Sequence, residues 1–190
     1  MARPKSDSRH RIIASARTLL RRQGYHGTGL AQIIEHSGAP RGSVYFLFPG
    51  GKEQVAVESV NDWAAEVAGL IRRTRAESDT AREWVRAMAD HFAAELRESG
   101  YTEGLPVTMI TLDSVPGSSG LTTACRSAYD AWLGALTEGL TGYGIADAEA
   151  AGVAKLMLSG LEGAVVLCRV YESTEPLEDV VRLVLKLIPE

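Results

Sequence analysis

The sequence is poor in the residues that build stapled or metal-held scaffolds. Cys125 and Cys168 are its two cysteines, and they show neither metal-ligand nor redox spacing. Both are expected to be reduced, buried thiols of a cytosolic protein. The basic, polar N-terminus is followed by no apolar leader segment, so a secretory signal is not expected. The most apolar run, LMLSGLEGAVVLCRV, is broken by Ser159 and Glu162. It reads as too short to span a bilayer, and no membrane partner is expected. Convincing strand-like alternation, internal repeats and low-complexity segments are all missing. So are supported catalytic motifs. Gly51-Lys52 lacks the spacing of a phosphate-binding loop, and no Ser/His/Asp grouping is visible. His91 and Glu95 lie four apart on one helix face, but two ligands without a third do not make a metal site. His10, His26 and His36 read as surface or capping residues. The expectation is a protein that is not an enzyme and holds no cofactor.

What is present is helical periodicity and an uneven charge. Apolar residues make up 45% of the 190, enough for a core. The net charge of −4 conceals two unlike parts. Residues 1–55 hold nine Lys and Arg (Arg3, Lys5, Arg9, Arg11, Arg17, Arg21, Arg22, Arg41 and Lys52) against three acids, a net of +6. The rest holds eleven against twenty-one, a net of −10. A basic head can bind phosphates by counterion release while an acidic body orients the approach. A merely solvated basic face is the plainer reading, so the local pattern must decide.

Ile12, Ile13, Ala16, Leu19 and Leu20 form the stripe of a first helix over about 8–23, ended by Gly24. Thr28 is placed to cap a short second helix carrying Leu30, Ile33 and Ile34, which Gly38 closes. Pro40 stands where a third helix begins. Short helices joined by a glycine-containing turn make a helix-turn-helix. A long helix follows from Lys52. Thr80 and Glu83 form a capping box for a fifth, and further helices are expected near 107–113, 121–140, 148–171 and 177–188. The 148–171 segment is apolar nearly all round and is expected to be buried on all faces.

The stretch APRGSVYFLFPGGK, 39–52, packs Tyr45, Phe46 and Phe48 into four residues. With Val44 facing inward and steps of about 100°, Pro40, Leu47 and Phe48 turn inward, and Gly42 and Phe46 outward. Ser43 and Tyr45 fall on the flanks, and the long Arg41 side chain reaches out. Each outward residue suits a DNA groove. Arg41 can donate a bidentate pair to guanine, Ser43 can bond a base edge or phosphate, and Gly42 admits close backbone approach. Tyr45 can reach a phosphate, and the aromatic edges can meet thymine methyls. The plainer alternative has Tyr45 and Phe46 covering a neighbouring helix.

These residues, Thr28, then GAPRGSVYFLF, then Lys52, resemble the tetracycline-repressor (TetR) family of bacterial transcriptional regulators over about 8–60. FPGGKEQ, GLPVTMITLD and LEGAVVLCRVYESTEPL resemble the branch typified by the lincomycin-resistance repressor. The resemblance implies an all-α fold of about nine helices. Residues 1–53 would be a three-helix DNA-binding head, and 54–190 a ligand-binding and dimerisation domain. By position Thr28 touches phosphate, Arg41, Gly42 and Ser43 meet base edges with Phe46 beside them, and Tyr45 and Lys52 hold phosphates. Pro40 replaces the family's usual Ser/Thr cap, Leu47 replaces a polar contact residue, and Pro49-Gly50-Gly51 lengthens the turn.

The resemblance also implies a homodimer on a palindromic double-stranded operator, released by a small, largely apolar effector. It places the dimer interface on the last two helices. Gly160, Gly163 and Ala164 permit close helix packing there, and Leu156, Leu167, Leu177, Val181 and Leu185 can complete a four-helix interface. An effector pocket is expected among Trp84, Met88, Phe92, Met109, Trp132, Met157 and Leu161, with Tyr129 and Glu162 as polar handles. The competing reading is a helical small-molecule-binding protein or enzyme whose head is a packing module. The outward face of 41–46 separates the two.

Overall fold

Gly24 shows how the sequence sets the start of the fold. Its φ of +72° falls in the left-handed region, and it interrupts the helical path of the first element. The computed structural model describes residues 5–188; Arg3 of the basic block lies outside the described residues. Among the described residues there are nine helices and no strand. They are α1 (Lys5–Gly27), α2 (Leu30–Ser37), α3 (Arg41–Leu47), α4 (Gly51–Ala76), α5 (Ala81–Glu98), α6 (Pro106–Ser114), α7 (Ser119–Gly142), α8 (Asp147–Tyr171) and α9 (Glu175–Val184).

The chain packs into two units, which do not follow the 53/54 division of the sequence. The first takes the chain up to Trp63 together with Leu105–Ala128. Its core joins Ile12, Ala16 and Leu20 of α1 to Ile33, Val44 and Phe48, and to Val55 and Val60 of α4. Trp63 receives two cations: the Arg17 and Arg21 guanidinium carbons each lie 4.6 Å from its ring centroid. The end of α1 is fastened to α6. The His26 amide donates to Asp113 Oδ2 at 3.3 Å, and His26 Nε2 lies 2.9 Å from the Asp113 carbonyl oxygen. A side chain at position 24 would meet this carboxylate, its Cβ standing 2.3 Å from Oδ2.

The second unit takes Ala64–Gly104 and the chain from Tyr129 onward. The capping box of α5 forms as its sequence dictates. The Glu83 amide donates to Thr80 Oγ1, and the Thr80 amide to Glu83 Oε2, each at 3.2 Å. Both large indoles satisfy their N–H on backbone carbonyls, Trp84 on Ile71 and Trp132 on Ala64, each at 3.0 Å. This lets them be buried without an orphaned donor.

α8 departs from expectation in two ways. Only its Ala150, Val153, Ala154, Ala164, Val165 and Cys168 positions are buried, whereas Leu156, Val166, Leu167, Val170 and Tyr171 are exposed. The helix is also longer than its uninterrupted apolar run. By length and composition Asp147–Tyr171 is enough to cross a membrane, as the core helix of a soluble bundle can also be.

Cys125 and Cys168 are buried, and burial pushes both thiols above their ordinary range. A raised thiol pKa means little thiolate at neutral pH. Iodoacetamide at pH 7.5 is therefore expected to label neither cysteine in the folded protein and both in denaturant. Rapid stoichiometric labelling of the native chain would contradict their placement.

Candidate functional site

The turn between α2 and α3 is built locally. The Ser37 hydroxyl donates to the Ile34 carbonyl at 3.0 Å and accepts the Ala39 amide at 3.2 Å. Gly38 takes φ +60°, and the Arg11 guanidinium closes the C-terminus of α2 through the Ser37 carbonyl at 3.0 Å. These contacts fix the direction in which α3 leaves. Val44 and Phe48 are fully buried, which pins one side of α3 to the head. On the other side Arg41 and Gly42 are exposed, Ser43 is half-buried, and Tyr45 and Phe46 are 51% and 69% exposed. The Arg41 guanidinium carbon stands 6.0 Å from the Tyr45 ring centroid. Leu47 is half-buried. Pro40 turns outward as the N-cap, and Ala39 takes the inner place expected for it.

Two expected contact residues are placed otherwise. Thr28 is fully buried, and its hydroxyl donates to the Gly24 carbonyl at 2.7 Å. Gly29 occupies the N-cap of α2, with no side-chain cap. Thr28 thus closes the break in α1 and has no surface to offer a phosphate. Lys52 Nζ donates to the Tyr25 carbonyl at 2.9 Å and lies 4.1 Å from the Tyr25 ring centroid. Burial first, then the Glu53 charge, pushes the Tyr25 phenol up.

Much of the basic block has a second, internal task that sequence reasoning missed. Besides Arg11, Arg17, Arg21 and Lys52, Arg9 bonds Glu58 and the Leu47 carbonyl and lies 4.8 Å from the Phe48 ring centroid. The Glu58 pair neutralises the Arg9 charge. Hydrogen bonds to carbonyls and stacking on rings leave the formal charge of a cation in place.

In the second unit the inner sides of α4, α5, α7, α8 and α9 enclose an apolar cavity of about 600 Å³, counting its part open to solvent. Of the expected lining, Met88, Phe92, Trp132, Met157 and Leu161 are present. Trp84, Tyr129 and Glu162 are not among the lining residues, and Met109 belongs to the first unit. The lining not anticipated is mostly aliphatic: Val67 and Ile71 on α4, Val85 on α5, Leu136 on α7, Leu158 on α8, and Leu177, Val180, Val181 and Val184 on α9. The signal for α9 was its apolar i, i+3, i+4, i+7 spacing, which also marks a dimer helix.

The expected interface residues divide as well. Leu156, Gly163 and Leu167 lie on the exposed face of α8. Gly160 abuts Val180 of α9, where an added Cβ would come within 2.8 Å of Cγ1. Ala164, Leu177 and Leu185 are buried inside the protomer, and Val181 lines the cavity. Val166, Val170 and Tyr171 of α8, with Leu183 and Leu187 nearby in sequence on and after α9, are exposed but were not anticipated. His91 and Glu95 pair with each other at 3.5 Å. Among the described residues no three His, Cys, Asp or Glu are grouped to hold a metal.

Residues 12–58 match the family model described as bacterial regulatory proteins, tetR family. Residues 81–183 match that of the C-terminal domain of LmrA/YxaF-like transcriptional regulators. The HTH-type transcriptional regulator LmrA of Bacillus subtilis is 34% identical over 90% of this chain and 91% of its own. YxaF of the same organism is 33% identical over 91% of each. Among solved structures, a TetR transcriptional regulator of Legionella pneumophila covers 100% of this chain and 99% of its own at a TM-score of 0.87 and 20% identity. CifR, solved with a 26-base-pair operator, covers 94% and 95% at a TM-score of 0.78 and 22% identity.

Proposed function

The chain belongs to the tetR family of bacterial regulatory proteins, in the branch with an LmrA/YxaF-like C-terminal domain, and we propose that it is a cytoplasmic, ligand-released repressor. In this reading it binds a palindromic operator as a homodimer through a head within residues 1–53, and residues 54–190 carry dimerisation and effector binding. The effector is a small, largely apolar molecule held in the second unit's cavity. Its binding favours a conformation whose heads no longer match the operator.

The observation that carries the reading is the two-sided character of α3. One face is anchored by fully buried Val44 and Phe48. The opposite face presents Arg41, Gly42, Ser43, Tyr45 and Phe46 to solvent, wholly or in part. A packing module has no use for two exposed aromatics beside an arginine on so short a helix. A helix entering the major groove does. Leu47 is left with a supporting role at the margin of that face.

Selection of bound sites from random DNA tests it, and a two-fold symmetric consensus is the expected result. Arg41→Ala is expected to weaken the selected site by roughly tenfold to a hundredfold, as loss of one bidentate base contact does. Gly42→Ala is the sharper arm. A Cβ there meets nothing within 4 Å in the protein, so folding is unaffected. Binding weakens only if DNA approaches that backbone. Equal affinity for the selected site and random DNA would sink the reading.

A further inference from the structure

A second cleft lies along the α5–α9 pair. Arg82 and Arg86 of α5 and Arg182 and Lys186 from the α9 segment line it, with Glu178 among them. Its charge runs against that of its surroundings. From Ala64 to Gly104 and from Tyr129 to the C-terminus the sequence holds ten Lys and Arg against eighteen Asp and Glu. Four of those ten cations meet in this one cleft. Arg82 and Arg86 are spaced i, i+4 on α5, where like charges repel, and Lys186 follows the end of α9, four residues after Arg182.

Their partners offset this only in part. Arg82 Nη2 donates to the Leu185 carbonyl at 2.6 Å, which anchors the guanidinium. Arg182 pairs with Asp179, and Glu178 accepts from the Thr174 hydroxyl at 2.8 Å. Arg86 and Lys186 have no side-chain partner among the described residues. Two cations of the cleft are thus left without a counter-charge. An anion that bridges the two helices turns this repulsion into charge-assisted hydrogen bonds.

The cleft also adjoins the apolar cavity. Val181 lines both. On α5, Val85 and Ala89 go to the cavity while Arg82 and Arg86 go to the cleft. On the α9 side, Val180 and Val184 go to the cavity while Arg182 and Lys186 go to the cleft. Val181 is thus the one side chain common to the apolar cavity and the cationic cleft.

We propose that the effector is an amphipathic organic anion. Its apolar body fills the cavity, and its acidic head group, a carboxylate, sulfate or phosphate, sits among Arg82, Arg86, Arg182 and Lys186. The inference rests on the reading of the cavity as the effector site. It adds that a neutral molecule of the same shape is a poorer ligand.

Calorimetric titration of the full chain with decanoate, decyl sulfate, decyl phosphate, decan-1-ol and acetate, all below micelle-forming concentrations, tests it. At least one of the three acidic amphiphiles is expected to bind roughly tenfold tighter than the alcohol, about the worth of one charge-assisted hydrogen bond. Which of the three wins identifies the head group. Arg86→Gln with Lys186→Gln alters two outward side chains and is expected to remove most of that advantage while leaving the alcohol unchanged. Alcohol binding as tight as the acids overturns the anionic head group and leaves the cavity reading standing. So does equal weakening of all ligands by the double substitution. Acetate binding as tight as decanoate overturns the apolar body. Binding of none of the five overturns the cavity reading together with the inference.

Discussion

Leu167→Glu combined with Val170→Glu is expected to leave a folded monomer whose affinity for a two-fold operator has dropped on the order of a thousandfold or more, towards the level of non-specific binding. The two side chains are 47% and 69% exposed in the protomer, so neither substitution removes a packed core group. Both lie on one seam of α8. Leu156, Gly163, Leu167 and Val170 follow one another at intervals of seven, four and three residues. That is the repeat by which one helix meets another in a bundle, with Gly163 allowing close approach. Leu183 and Leu187, on and after α9, are exposed as well. Carboxylates placed at the centre of such an interface lose hydration without gaining partners, at several kcal/mol each. A monomer then carries a single α3, while a palindrome offers half-sites about one helical turn apart. Sedimentation velocity reads the oligomer, gel shift reads the operator, and circular dichroism shows whether the protomer is intact. A doubly substituted chain that still sediments as a dimer with full operator affinity sinks the assignment of this face.

The same helix shows where sequence reasoning ended. Periodicity reported correctly that α8 is apolar nearly all round. It could not distinguish a face covered within the protomer from one left exposed, because both carry the same residues. Local devices were legible. The Thr80–Glu83 box, the break at Gly24 and the division of Val44 and Phe48 from Tyr45 and Phe46 each depend on neighbours a few positions away. Thr28 is placed otherwise although its partner is also near in sequence. Gly29 took the role once burial turned the Thr28 hydroxyl back to the Gly24 carbonyl. Arg17 and Arg21 failed at longer range, since nothing near them in sequence announces Trp63. The cavity was half legible. Spacing names the inward face of a helix, but where the packing leaves room depends on how large and small residues meet across elements. Trp84 and Met88 share the inner side of α5, yet only Met88 reaches the cavity.

The reason is Gly139, and the pair yields the largest expected effect on stability. Trp84 is fully buried, and its ring occupies the place where a side chain on Gly139 would stand. A Cβ there would come 2.1 Å from the Trp84 Cη2 atom. Trp84→Ala removes the indole and its hydrogen bond to the Ile71 carbonyl, which Thr74 also serves, and leaves a void beside Tyr143. The expected loss is about 3–5 kcal/mol of unfolding free energy. Gly139→Ala alone is expected to destabilise by roughly 1–3 kcal/mol, because the indole must shift off its hydrogen bond to make room. In the Trp84→Ala background the same Gly139→Ala change has no ring to strike. It fills part of the void and gains up to about 1 kcal/mol of helix propensity, so its effect reverses sign. Urea denaturation of the two single variants and the double variant measures this coupling directly. Simple additivity of the two losses would show that the indole is not seated in the groove that Gly139 provides.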